Sequence, residues 1–114
     1  MLLKILDTGP SDFCAGSSLK GYMRATYEEV VSCFGNPTAV MGDKTTVEWD
    51  VEIRAEDDDE VEYSIFATIY DWKRNSRYAP EGEYEWHIGG WSEDALHAVT
   101  LAMENYRKVT AVAA

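Results

Sequence analysis

The chain has 114 residues, with 10 Lys+Arg against 21 Asp+Glu and a formal charge of −11. A chain of this length can bury a core as one domain without disulfide or metal staples, and a composition 46% hydrophobic and 12% aromatic excludes a disordered polypeptide. The negative balance argues against direct binding of nucleic acid, whose affinity comes from Lys and Arg releasing counterions, and against docking on anionic lipid.

Met1 to Asp7 carries only short apolar runs on either side of Lys4, too short for a signal segment, and no stretch approaches the roughly 18 apolar residues of a membrane span. A cytoplasmic location is expected, with Cys14 and Cys33 as free thiols. Thr8 to Ser18 concentrates turn-forming residues, so residues 1–18 read as a loose leader ahead of a single α+β domain over 19–110. Leu19 to Ala25 alternates as a short strand. Thr26-Tyr27-Glu28-Glu29 matches a capping box, predicting a helix with Val30, Val31 and Phe34 as its apolar stripe, Gly35 as terminator and Pro37 as stop.

Thr45 to Ile53 alternates strictly: Val47, Trp49, Val51 and Ile53 point one way, Glu48, Asp50 and Glu52 the other. The acidic run Glu56-Asp57-Asp58-Asp59-Glu60 reads as an exposed connection to a second alternating run, Val61 to Trp72, the pair forming a hairpin. Tyr84 to Ile88 is a third run, closed by Gly89-Gly90. Ser92 then caps a helix on which Leu96, Val99, Ala102, Met103 and Tyr106 recur at helical spacing. The order predicts a two-layer sandwich: about four strands, largely antiparallel, with two helices on one face.

Parity sends Val61, Tyr63, Ile65, Ala67 and Ile69 toward the helices and Glu62, Ser64, Phe66, Thr68, Tyr70 and Trp72 away from them. On the third run Tyr84, Trp86 and Ile88 point inward and Glu83, Glu85 and His87 outward. A register that keeps inward residues opposed places Tyr70 opposite His87 and Trp72 opposite Glu85. The outer face then carries Glu48, Asp50, Glu52 and Glu62 at one end and Phe66, Tyr70 and Trp72 at the other. Those aromatics are either covered by the leader and the loop from Lys73 to Glu83, or they form a binding surface.

Between Glu48 and Glu62 lie nine acids and one base, Arg54, a local charge of −8 out of −11. Such a run either solubilises an edge or, as one continuous ridge, imitates nucleic-acid phosphates in the basic groove of a protein. The candidate partner-binding set is Glu48, Asp50, Glu52, Glu56, Asp57, Asp58, Asp59, Glu60 and Glu62, with Phe66, Tyr70 and Trp72 as apolar anchors. A calcium loop would need a Gly at its turn and alternating ligands, which five consecutive acids do not offer.

Catalytic motifs are sparse: no Gly-x-Ser-x-Gly, His-Glu-x-x-His or glycine-rich phosphate loop occurs. Asp71-Trp72-Lys73 has the acid-x-Lys shape of magnesium-dependent nucleases, with Asp50 or Glu62 as second acid, but such a tripeptide arises about once by chance in a chain of this composition. A nucleotide-binding alternative has Tyr70, Trp72, Trp86 or Trp91 stacking a base while Lys73, Arg74, Arg77 and His87 hold phosphates. No enzymatic activity, cofactor or metal is expected.

The segments Gly21-Tyr22-Met23-Arg24-Ala25-Thr26-Tyr27-Glu28-Glu29, Ala67-Thr68-Ile69-Tyr70-Asp71-Trp72-Lys73 and Gly82-Glu83-Tyr84-Glu85-Trp86-His87-Ile88-Gly89-Gly90 resemble small accessory proteins of tailed bacteriophages, over roughly residues 19 to 105. The resemblance implies a context, the cytoplasm of a host cell, and a class of target. Phage accessory proteins of this size often block a host enzyme or defence complex, and acidic ones include DNA mimics that inhibit restriction or CRISPR effectors. The leading expectation is therefore an inhibitor that binds a host protein through its basic nucleic-acid-binding groove. The run from Glu56 to Glu60 lies outside the resembling segments.

Overall fold

Strict alternation in the middle of the chain becomes the spine of the fold. In the computed structural model, which describes residues 3–11, 17–40, 44–74, 76 and 78–113, β4 (Val47–Glu56) buries Val47, Trp49, Val51, Ile53 and Ala55 and turns its intervening residues outward. The other elements are β1 (Lys4–Pro10), β2 (Ser18–Thr26), α1 (Tyr27–Phe34), β3 (Ala39–Val40), β5 (Glu62–Tyr70), β6 (Glu83–Gly90) and α2 (Asp94–Ala113). The sheet is antiparallel in the order β1-β4-β5-β6-β2, with the two-residue β3 also paired to β4. An α+β architecture with two helices is thus present, and the main path holds five strands where four were expected.

The added strand is β1. Lys4 to Pro10, expected to be part of a loose leader, pairs with β4 from Glu56 to Val51, with a register shift between Ile5 and Asp7. Its Gly and Pro lower intrinsic strand preference, but the edge position tolerates both, because an edge strand needs only one set of ladder bonds.

Met23 and Ala25 of β2, the inward residues of β4, Ile65, Ala67 and Ile69 of β5, and Trp86 and Ile88 of β6 form one buried cluster. It includes Val30 and Phe34 of α1 and Ala95, Ala98, Val99, Ala102 and Met103 of α2. The alanines let α2 lie close to the strands. Trp49 and Trp86 meet edge-to-face at 5.3 Å in this core. Each satisfies its indole N–H on main chain, Trp49 donating to the Gly35 carbonyl at 2.8 Å and Trp86 to the Ala25 carbonyl at 2.9 Å. Truncating either to Ala should cost about 3–5 kcal/mol, the usual range for a buried aromatic.

The capping box forms as expected, the Thr26 hydroxyl accepting from the Glu29 amide while the Glu29 carboxylate accepts from the Thr26 amide. Gly35 ends α1 with φ 89°, a left-handed value that favours glycine, and its amide donates to the Val31 carbonyl. The Ser92 hydroxyl accepts from the Asp94 amide at the start of α2.

One seam joins the two halves of the sheet. β5 and β6 pair only over Ala67–Tyr70 and Gly90–His87, whereas β4 and β5 pair from Glu48↔Tyr70 to Glu56↔Glu62. Glycine permits the close approach: a Cβ on Gly89 would collide with the Thr68 hydroxyl, and one on Gly90 with the Ala95 methyl. Beyond the seam the sheet continues as β1, β4 and β5, with β1 beside β4 as far as Glu56.

Candidate functional site

The outward residues fall into cross-strand rows. The row nearest the hairpin base runs Glu48, Tyr70, His87, Tyr22 across four strands. The pairing of Tyr70 with His87 follows from sequence parity, and the rings lie 5.3 Å apart. Tyr22 meets His87 edge-on at 5.0 Å, and Trp72 lies 6.1 Å from Tyr70 and 6.3 Å from His87. The expected pairing of Trp72 with Glu85 does not form, because β5 ends at Tyr70 and Glu85 pairs with Arg24 on β2. His87 Nδ1 is buried with no hydrogen-bond partner among the described residues, and desolvation holds its pKa below the usual imidazole range. The Lys44 and Lys73 ammonium groups stand over the Trp72 ring at 5.7 and 5.5 Å.

Acids at this end serve the fold. Asp71 is 1% exposed and accepts from the Thr46 amide at 2.6 Å, the Val47 amide at 3.1 Å and Arg74 at 3.0 Å. It anchors the start of β4 to the end of β5. Burial pushes the Glu48 carboxyl up to about 7, helped by its hydrogen bond to Asp50, the Asp50 charge and then Asp71. Near neutral pH it is shared between charged and uncharged forms. Asp50 Oδ1 is also buried without a partner among the described residues.

Acids at the far end are displayed. The turn from Asp57 to Val61 is closed by the Asp57 amide on the Val61 carbonyl and the Glu60 amide on the Asp57 carbonyl, each at 3.0 Å. The Asp57 side chain braces it from inside, Oδ1 accepting from the Asp59 and Val61 amides and Oδ2 from the Tyr63 hydroxyl. The Val61 amide is the foremost cause holding the Asp57 carboxyl below the usual carboxylate range, and the same carboxylate raises the Tyr63 phenol. Glu60 sits at φ 62°, where a turn of this length prefers glycine. Asp58, Asp59 and Glu60 are exposed, and no ion pair engages them among the described residues.

Glu48, Asp50, Glu52, Glu56 and Glu62 share the outer face, but the expected continuous ridge is broken. Arg54 rises in its middle and pairs with Asp7 at 2.6 Å and Glu62 at 2.9 Å, while Lys4 lies 3.9 Å from Glu56. Arg54 of β4 divides the ridge, and the unexpected edge strand β1 adds Asp7 as a second partner for Arg54 and Lys4 beside Glu56. Val61 and Tyr63, placed inward by parity, are 48% and 40% exposed, although Ala55, the partner of Tyr63 on β4, is buried.

The nucleotide set is only partly assembled. Arg74 is held by Asp71 and the Tyr78 carbonyl, Trp86 is fully buried, and Arg77 lies outside the described residues, as does Cys14. Trp91 sits against Phe66 at 5.3 Å, away from Trp72's own cluster. Lys44 was not indicated by the sequence pattern, since only the contact of its loop with the end of β5, through the Lys73 amide on the Lys44 carbonyl, brings it in. Of the acid-x-Lys arrangement, Asp71 is committed elsewhere and Glu62 is remote, whereas Asp50 and Asp71 both act on Glu48. Asp71 spends its carboxylate on main chain and Arg74, and Glu62 is eight residues away from Tyr70 along β5, about 26 Å. No group of three or more metal-ligating side chains is close enough to hold an ion among the described residues. Cys33 is a free thiol, pushed up to about 11 by burial. No described helix is long and apolar enough to cross a membrane. No family model, curated protein or solved structure matches the chain.

Proposed function

We propose that this protein is a non-enzymatic, phage-encoded inhibitor that binds a host nucleic-acid-handling or defence protein in its basic groove, with the hairpin tip from Asp57 to Glu62 as the principal charged element. The observation that carries the reading is the tip itself. Asp57 spends its carboxylate fixing the turn, so Asp58, Asp59 and Glu60 project from a preorganised support with no ion-pair partner among the described residues. A left-handed Glu and adjacent like charges both cost stability, and observed strain of this kind is a pointer to function. Glu52 extends the negative surface along β4, and Tyr70 and Trp72 border it at the base. The reading takes the molecule as two layers, helices on one side, with this surface on the other. The phage origin and the anti-restriction or anti-CRISPR class of target rest on the resemblance of the three sequence segments.

The test is competition. A panel of purified host proteins, including a restriction endonuclease, a CRISPR effector and a nucleoid protein, is loaded with fluorescent duplex DNA and titrated with the protein. The reading expects displacement of DNA from at least one member, steeply weakened by salt and by D58N/D59N/E60Q. Titration that leaves every member's DNA bound contradicts it.

One observation favours a second reading: two ammonium groups flank Trp72, which is 39% exposed in a strongly acidic protein. A nucleotide stacked there would quench tryptophan fluorescence, and Trp72→Leu or Lys73→Ala would abolish the effect.

A further inference from the structure

The β4–β5 hairpin carries unpaired charge of opposite sign at its two ends. At the base, Lys44 and Lys73 are exposed, hold their ammonium groups 5.7 and 5.5 Å from the centre of the Trp72 ring, and enter no ion pair among the described residues. Lys73 reaches that place through a left-handed backbone, φ 49°, with its amide donating to the Lys44 carbonyl at 2.8 Å. A left-handed backbone is costly for a residue with a Cβ, and two ammonium groups drawn to one ring repel each other. At the tip the same signs of cost recur with the charge inverted: Glu60 is left-handed, and Asp58, Asp59 and Glu60 are exposed without an ion pair among the described residues.

The two sets cannot neutralise each other within one molecule. β4 and β5 pair from Glu48↔Tyr70 to Glu56↔Glu62, a ladder about 26 Å long, and the lysines and the acids lie beyond its opposite ends. Arg54, the one base along the ladder, is already held by Asp7 and Glu62. A second copy laid antiparallel to the first brings each tip to the other's base. Because the separation of tip and base is the same in both chains, one two-fold axis closes both contacts at once, which is the self-complementary arrangement of a symmetric dimer. The net charge of −11 on each copy opposes approach. At physiological salt, however, charges farther apart than about 8 Å are largely screened, so charges in contact weigh more than the total, and a weak, reversible pair is the expected result.

We propose that the protein forms a two-fold pair in which Asp58, Asp59 and Glu60 of each chain dock on Lys44, Lys73 and Trp72 of the other. The carboxylates meet ammonium groups already in place, and the exposed indole is covered. This goes beyond the inhibitor reading, which needs only a free tip. In the pair the tips are occupied, and a groove richer in cations than two lysines draws them away.

The experiment is sedimentation equilibrium of the whole protein up to millimolar concentration in physiological salt, where wild type is expected as a monomer–dimer equilibrium. D58K/D59K and K44E/K73E should each weaken the dimer about tenfold or more, because like charges then meet at both contacts. Mixing those two variants should restore it as a one-to-one pair, since lysine tips then face glutamate bases and acidic tips face lysine bases. E28K/E104K shifts the net charge as far as D58K/D59K does but on exposed positions of α1 and α2. Mixed with K44E/K73E it keeps one contact of the two and should pair about tenfold more weakly than the complementary mixture. Wild type that stays monomeric at millimolar concentration, assemblies larger than a dimer, or equal restoration by E28K/E104K would each overturn the proposal.

Discussion

The two ends of the β4–β5 hairpin hold the same kind of residue in opposite employment. At the base, Asp71 is sealed from solvent and holds two amides and a guanidinium, and Glu48 is pushed toward its uncharged form. At the tip, Asp57 bonds its own turn and its neighbours face water. Acidity by itself therefore says little. What decides the role of a carboxylate here is whether main-chain donors and burial consume its charge or leave it available at long range.

The largest expected effect is at the base. Asp71→Ala leaves the Thr46 and Val47 amides and the half-sequestered Arg74 without their acceptor, and should lower stability by about 3–5 kcal/mol in urea denaturation. Asp71→Asn keeps an oxygen for the amides and should cost less; equal cost would mean the ion pair with Arg74, not the amide bonds, dominates.

Next is the pH dependence of Glu48. Its folded pKa, about 7, lies above its unfolded value, so the folded state holds the extra proton between them. Stability attributable to this group is therefore full at low pH, falls as pH rises from the unfolded pKa through about 7, and is flat above. Glu48→Gln should remove that slope and stabilise the protein at pH 8 by on the order of 1–2 kcal/mol, allowing for solvent screening of a partly exposed group. His87 has the opposite sign, losing stability as pH falls through the ordinary imidazole range, so the difference between wild type and variant isolates Glu48. A variant with an unchanged pH profile would place Glu48 with the displayed acids instead.

Smaller still is the turn. Glu60→Gly should gain about 0.5–1 kcal/mol by relieving the left-handed backbone, whereas Glu60→Ala, which keeps a Cβ, should gain nothing. A loss in the glycine variant would show that the Glu60 side chain supports the tip.

The parity of β4, the capping box and the opposition of Tyr70 to His87 were legible because each depends on residues close in sequence or on a two-residue period. The unreadable parts depend on long-range partners. Arg54 shares the parity of the β4 acids, but its pairing with Asp7, 47 residues away in sequence, waits on β1. β1 itself was hidden because Thr8, Gly9 and Pro10 speak for a turn, and only pairing with β4 makes them a strand. The structural role of Asp71 is hidden because the tripeptide Asp71-Trp72-Lys73 shows its neighbours and not the Thr46 and Val47 amides it accepts from. The short seam was hidden for a related reason: the close approach of Gly89 to Thr68 and of Gly90 to Ala95 is a set of contacts no local pattern encodes.

The most direct measurement is the salt dependence of affinity for whichever panel protein yields its DNA, taken for wild type, the tip triple D58N/D59N/E60Q and the base variant Glu48→Gln. The account expects the tip triple to flatten the slope of log affinity against log salt and the base variant to leave it unchanged. Slopes that are the same for wild type and the tip triple, or that flatten only in the base variant, would contradict it.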